Sequence, residues 1–261
     1  MTRALLLLTL CACEKAPAGD STPDDTADPQ TDDTAVDDTG VDDTGVDDTG
    51  ADDSGDSGID VPLDGFGALS GDCGVLDEEL LDANPAFFDG AIDFGAAAFD
   101  ESLLSAGGLE IYEAGNLGGS SIHSEVFAYE VLYRCELAEL LYTEAEVVYI
   151  DPGGKKTDLV VRIDGELIGV SVTRAYLYPP DTPYTVDDAA ELLDRKLADI
   201  LLSTANVSEE QRWSKQILSV LAYTPEHAAR LADAWPTLDP AVRADTIVFV
   251  TATEGDDEFM Y

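Results

Sequence analysis

Basic residues are scarce in this chain: 13 Lys and Arg stand against 55 Asp and Glu among 261 residues, a formal net charge of −42. A field of that sign repels phosphate backbones and slows encounter with nucleic acid, which is therefore disfavoured as a partner. Histidine is nearly missing. His123 and His227 fall in separate segments with no acid or cysteine around them at zinc-ligand spacing, which argues against a zinc site. Ser124 beside His123 is no catalytic pair, since adjacency in sequence does not create hydrogen-bond geometry. Neither a nucleophile elbow nor a phosphate-loop motif occurs. The apolar run Ala4 to Leu10 is too short for a permanent membrane span. Cysteine is sparse too, with 4 in all. Two of them, Cys11 and Cys13, lie beside that run. The others, Cys73 and Cys135, either pair in an oxidising compartment or leave Cys135 simply buried on its helix.

What is present divides the chain into four stretches. Residues 1–12 have a charged start and a short apolar core, the pattern of a secretory signal peptide. Leu10-Cys11-Ala12-Cys13 resembles the bacterial lipobox, with Leu three positions before the cysteine and a small residue just before it. The resemblance implies a lipid-modified Cys13, membrane anchoring through that lipid and a place in the bacterial cell envelope. Glu14 and Lys15 follow in place of the inner-membrane retention aspartate, which favours the outer membrane. Two acyl chains would anchor stably where one would not.

Residues 13–60 form an Asp-rich stretch that from Thr31 to Gly55 repeats in fives, as in Val36-Asp37-Asp38-Thr39-Gly40, and positions 14–60 hold 17 acids and one base. One small aliphatic per pentad buries too little surface to offset ordering, so an extended, disordered acidic tether is expected. The repeat lacks the alternating aspartates and distal glutamate of a calcium loop. Residues 61–121, rich in Gly, Ala and Asp with only short apolar clusters, read as a transition segment packing on the domain.

Residues 122–261 carry regular patterns. An amphipathic helix from Ser124 has a stripe of Val126, Tyr129, Tyr133, Leu137, Leu140 and Leu141. Glu130 falls inside this stripe, where a carboxylate is expensive unless paired, protonated or metal-bound; a structural ion pair and a functional site both satisfy that condition. Val147 to Ile150, Asp158 to Ile163 and Glu166 to Arg174 read as three strands, the last two joined by Asp164-Gly165, a two-residue hairpin turn. Thr185 with Asp188 forms a capping box opening a helix with Ala189, Leu193, Leu197, Ile200 and Leu201 on one face. A strand from Ile217 to Tyr223, a helix from Pro225 to Trp235 and a strand from Thr246 to Thr251 complete the order. The crossover after the third strand implies parallel pairing, hence an α/β fold whose mixed central sheet joins an antiparallel meander to parallel strands between helices.

A helix with an acid, a meander with Asp158 heading its second strand, a third strand ending in charge, then helix and strand: this order resembles the restriction-endonuclease-like, PD-(D/E)XK nuclease superfamily over roughly residues 124–251. The resemblance implies that Asp158 and the helix acid, Glu130 or less well Glu125, hold Mg2+ or Mn2+ if the domain is catalytic. The third-strand acid and lysine do not match, since Ser171-Val172-Thr173 stands there, followed by Arg174. Lys156 or Lys196 could supply a displaced cation, whereas Glu166 lies five residues along the strand from Ser171, too far to share a metal with Asp158. Candidate catalytic residues are therefore Glu130, Asp158, Lys156 and Thr173. Lys155, Lys156, Ser171 and Arg174 are candidates for holding an unknown, anionic ligand. Arg212, Trp213 and Lys215 form a weaker anion-contact cluster. Two functions follow from different classes: a degenerate nuclease-like domain acting as a binding or interaction module, and a metal-dependent phosphodiesterase with a rearranged site. A ligand-free scaffold is the third reading.

Overall fold

The computed structural model describes residues 61–62, 67–96, 99–115 and 122–261. The readings of the signal peptide, of Cys13 as the lipidated residue and of the acidic tether lie outside the described residues. Among the described residues no helix is long and apolar enough to cross a membrane.

An eight-stranded mixed sheet organises the fold. Its strands are β1 (Val61–Pro62), β2 (Ala68–Gly71), β3 (Ala86–Asp93), β4 (Glu139–Thr143), β5 (Leu159–Ile163), β6 (Glu166–Ala175), β7 (Lys215–Ala222) and β8 (Ile247–Glu254), in the order β1-β2-β3-β8-β7-β6-β5-β4. The four central strands β3, β8, β7 and β6 run parallel, and both flanks are antiparallel. Every residue of β7 is buried, as expected for a parallel strand covered on both faces. Helices α1 (Ala106–Ala114) and α2 (Ile122–Glu136) pack on one face around Phe127, Leu132, Val161 and Phe249. Helices α3 (Val186–Asn206) and α4 (Pro225–Ala234) pack on the other around Leu193, Leu197, Leu218 and Val250.

Local chemistry explains the elements that the sequence announces. Asp164 and Gly165 both take positive φ, 49° and 91°, closing the β5–β6 hairpin. Thr185 and Asp188 exchange both bonds of the capping box at the start of α3. The short helix α5 (Pro240–Arg243) and α4 each begin with proline at the first turn, where its missing N–H costs nothing.

Two expectations fail. The helix ends at Glu136: Leu137 adopts φ 54°, the Ala138 N–H bonds to the Leu132 carbonyl, and Leu140 and Leu141 belong to strand β4. The first meander strand is therefore β4. Val147 to Ile150 instead lies along the end of α3, with a single bridge from Tyr149 to Val207 and an Ile150 N–H bond to Asn206.

The segment before α2 does more than pack on the domain. It supplies β1–β3, α1 and the core residues Leu69, Leu76, Ile92, Phe94 and Ile111. A disulfide between Cys73 and Cys135, Cα atoms 4.7 Å apart, fastens it to α2. Beside it, Glu136 accepts the N–H groups of Gly74, Val75 and Leu76 at 2.9, 3.3 and 3.1 Å. The bridge closes a loop across a sequence separation of 62 residues, for which chain entropy gives about 4 kcal/mol. Reduction, or Cys73→Ser, should lower unfolding free energy by roughly that amount in denaturant titrations with and without reductant. Unchanged midpoints would mean that the loop is already held without the bond.

Candidate functional site

Strand register creates a cleft. Leu159 of β5 pairs with Val170 of β6, and the Asp158 N–H donates to the Val170 carbonyl, so β5 begins only there. Strand β6 continues to Ala175, paired on its other side with β7 from Ser171↔Leu218 to Ala175↔Ala222. Its last turn of chain thus has an edge without a strand neighbour. Asp158 fills part of that edge: its carboxylate accepts the Val172 N–H at 2.7 Å. The remaining space, about 300 Å³, is lined by Ser124 and Glu125 of α2, by Asp158, by Val172, Thr173 and Arg174 of β6, and by Lys196 of α3.

Four formal charges share this cleft, two of each sign. Burial pushes the Asp158 carboxyl up from its ordinary 3.8 to about 6, against the opposing pull of the Val172 N–H and the Lys196 ammonium. Glu125 is 4% exposed. Ser124 is 1% exposed, and its Oγ has no hydrogen-bond partner among the described residues. Arg174 is steered from the far side, donating Nη1–H to the Met260 carbonyl at 2.6 Å.

The residues singled out from sequence divide. Asp158, Thr173 and Arg174 are in the cleft, and so is Lys196. Glu130 is not among its lining residues, and Glu125 is the helix acid found there. The carboxylate of Glu130 is engaged elsewhere: Oε1 accepts from Ser105 N and Oγ at 2.8 and 2.7 Å, and Oε2 lies 3.5 Å from Arg134 Nε. It thereby holds the capping serine of α1, and the absence of a side chain at Gly108 makes room, since a Cβ there would come within 2.0 Å of Oε1. These contacts make Glu130 part of a buried ion pair and helix cap away from the cleft.

Lys155 and Lys156 also lie outside the cleft. Lys155 pairs with Asp199 at 2.8 Å, and Lys156 stands 5.9 Å from the Tyr149 ring centre. Ser171 points to a buried contact with Thr157, oxygens 3.3 Å apart. The cleft therefore reads Val172-Thr173-Arg174, one residue later than the triplet compared from sequence. Trp213 and Lys215 are buried, Lys215 donating to the carbonyls of Asp82 and Asn84, which removes them as an anion-contact cluster.

A divalent metal fits these groups poorly. Mg2+ and Mn2+ favour several oxygen ligands. The cleft offers two carboxylates, one already bonded to Val172 N–H, with an apolar valine beside them and two cations opposing another. Among the described residues no three His, Cys, Asp or Glu side chains form a metal-holding group.

Fold and site define a mixed α/β domain with a charge-balanced cleft at an overhanging strand end. No protein-family model and no solved structure matches the chain. It is similar to the AAC-rich mRNA clone AAC4 protein of Dictyostelium discoideum, 35% identical over 165 residues, which is 61% of this chain. The chain spans 24% of that relative's length.

Two predictions follow from the carboxylates. Asp158 has a folded-state pKa above its unfolded value, so its ionisation opposes folding: stability falls as pH rises from about 4 through about 6. Asp158→Asn keeps an acceptor for Val172 N–H and should raise Tm at pH 8, by an energy on the order of 3 kcal/mol, with the gain shrinking towards pH 4. A constant difference across pH would exclude this cause. Glu130→Gln should do the reverse and lower stability by about 2 kcal/mol at pH 7, because Arg134 and Ser105 lose a charged partner. An unchanged denaturation midpoint would contradict that assignment.

Proposed function

We propose that residues 122–261 carry a restriction-endonuclease-like scaffold that has lost catalysis and serves as a binding module for an anionic group. The order α2, β4-β5-β6 meander, α3, β7 supports the kinship, as does Asp158 at the head of the second meander strand. One observation carries the loss of chemistry: Val172 lines the cleft where the superfamily has an acid, and Arg174 follows where it has lysine.

Arginine stays protonated and cannot take a proton from water, yet its planar fork suits carboxylate and phosphate oxygens. With Lys196 and the Ser124 hydroxyl it forms three donors around one space. The first turn of α2 at the same cleft adds the positive end of a helix dipole. Anion binding is the function best served by that set. In this reading the lipid on Cys13 anchors the protein to the bacterial envelope, with the outer membrane favoured, and the Asp-rich pentads separate anchor from domain.

A catalytic alternative draws support from Glu125, Asp158 and Lys196 sharing the cleft. The full chain, incubated with Mg2+ or Mn2+ and single- or double-stranded DNA and RNA, should show no cleavage. Cleavage abolished by Asp158→Ala would replace the binding reading with a phosphodiesterase. Inorganic phosphate should raise the Tm of the wild type, and this rise should be lost in Arg174→Met and Lys196→Met.

A further inference from the structure

A second cleft of about 260 Å³ adjoins the first and shares Thr173 and Arg174 with it. Small-molecule sites run to roughly 300–1,000 Å³, so each cleft is small alone and the pair is of ordinary size. The second one is lined by Tyr176, Tyr184, Asp188, Glu191 and Arg195. We infer that the two form one site, and that the ligand is an acidic sugar: its acidic group lies by Arg174, Lys196 and Ser124, and its hydroxylated ring by Tyr176 and Tyr184. This rests on the anion-binding reading of the first cleft.

Both halves carry two cations and two carboxylates, and their walls differ: Val172 lies in the first and two tyrosines in the second. In the second cleft Arg174 and Arg195 face Asp188 and Glu191, so donors and acceptors are balanced. Hydroxyl groups both donate and accept, and they match such a lining. Asp188 already accepts from Thr185 N and Oγ1 at 2.9 and 2.5 Å, which leaves Glu191 the freer acceptor.

Each half also holds a hydroxyl that the protein leaves without a partner. Ser124, which lines the first cleft, and Tyr184, which lines the second, have buried hydroxyl oxygens with no hydrogen bond among the described residues. Buried polar atoms are almost always bonded, and of several such atoms among the described residues these two belong to residues that line the adjoining clefts. Burial raises the Tyr184 pKa well above its ordinary value, so the phenol remains a donor. The aromatic walls are fixed in place. Tyr184 stacks on His227 with ring centres 4.6 Å apart, and Tyr176 packs against Tyr223 and Tyr261 at 5.1 and 5.0 Å. Pre-positioned rings with a polar tip suit the apolar face and hydroxyl edge of a sugar ring.

The test is calorimetric titration of the full chain with glucuronic acid, glucose 6-phosphate, glucose and inorganic phosphate. At least one of the two sugar acids should bind ten-fold or more tightly than glucose and phosphate, and the preference between them assigns the acidic group as carboxylate or phosphate. Tyr184→Phe and Glu191→Gln should each weaken the sugar acid several-fold and leave phosphate unchanged, with thermal unfolding confirming that both variants fold. Ser124→Ala should weaken sugar acid and phosphate alike. If phosphate binds as tightly as both sugar acids, or if Tyr184→Phe and Glu191→Gln have no effect, the second cleft is no part of the site, while the anion-binding reading stands. If neither phosphate nor a sugar acid binds, both readings fall.

Discussion

The hydrogen bond from Val172 N–H to the Asp158 carboxylate stands where a strand neighbour would otherwise be. Because β6 outruns β5, its final residues need partners for their edge groups, and buried backbone donors are rarely left without one. A carboxylate supplied from the chain just before β5 meets that need with no further strand. The cleft is the consequence. Had β5 begun a few residues earlier, another strand residue would occupy the space in which Ser124, Glu125, Arg174 and Lys196 now face one another.

The surrounding packing holds this overhang open from both sides of the sheet. Helix α2 brings Ser124 and Glu125 from one face, and its far end is fastened through Cys135 and Glu136 to the segment around Cys73. Helix α3 brings Lys196 from the other face, its start set by the Thr185–Asp188 capping box. The C-terminal residues contribute as well. Met260 receives Arg174, and Tyr261 shares a contact with Thr253, oxygens 2.8 Å apart, next to the Tyr176 and Tyr223 rings. Two buried carboxylates of α2 have opposite roles. Glu130 is bonded into the core as an α1 anchor, while Glu125, one and a half turns earlier, reaches the cleft.

Local signals were legible where short-range chemistry decides the outcome. The Asp164-Gly165 turn, the Thr185 cap and the proline at the start of α4 each act within four residues, and the structure has all three. Parallel pairing of β6 with β7 followed from the crossover. Periodicity misled at the end of α2, because Leu140 and Leu141 continue the helical stripe numerically after Leu137 has turned the chain into β4. It misled again at Val147–Ile150, a β-branched run whose backbone is claimed by the end of α3. Before α2, the short apolar clusters gave no sign of β3, whose eight residues all pair in parallel with β8 from 161 positions away. Such pairing depends on partners that no local window contains.

From composition and spacing came the α/β class, the β5–β6 hairpin and the acidic charge that weighs against nucleic acid, and from the family resemblance came Asp158 as a candidate. These depend on residue type and near neighbours. Only the tertiary structure selected Glu125 over Glu130, brought Lys196 and Arg174 to Asp158, and turned Lys155, Lys156 and Ser171 away. The reason is that a side chain's direction near a strand end is set by register and by which helix covers it, and both are fixed by contacts distant in sequence.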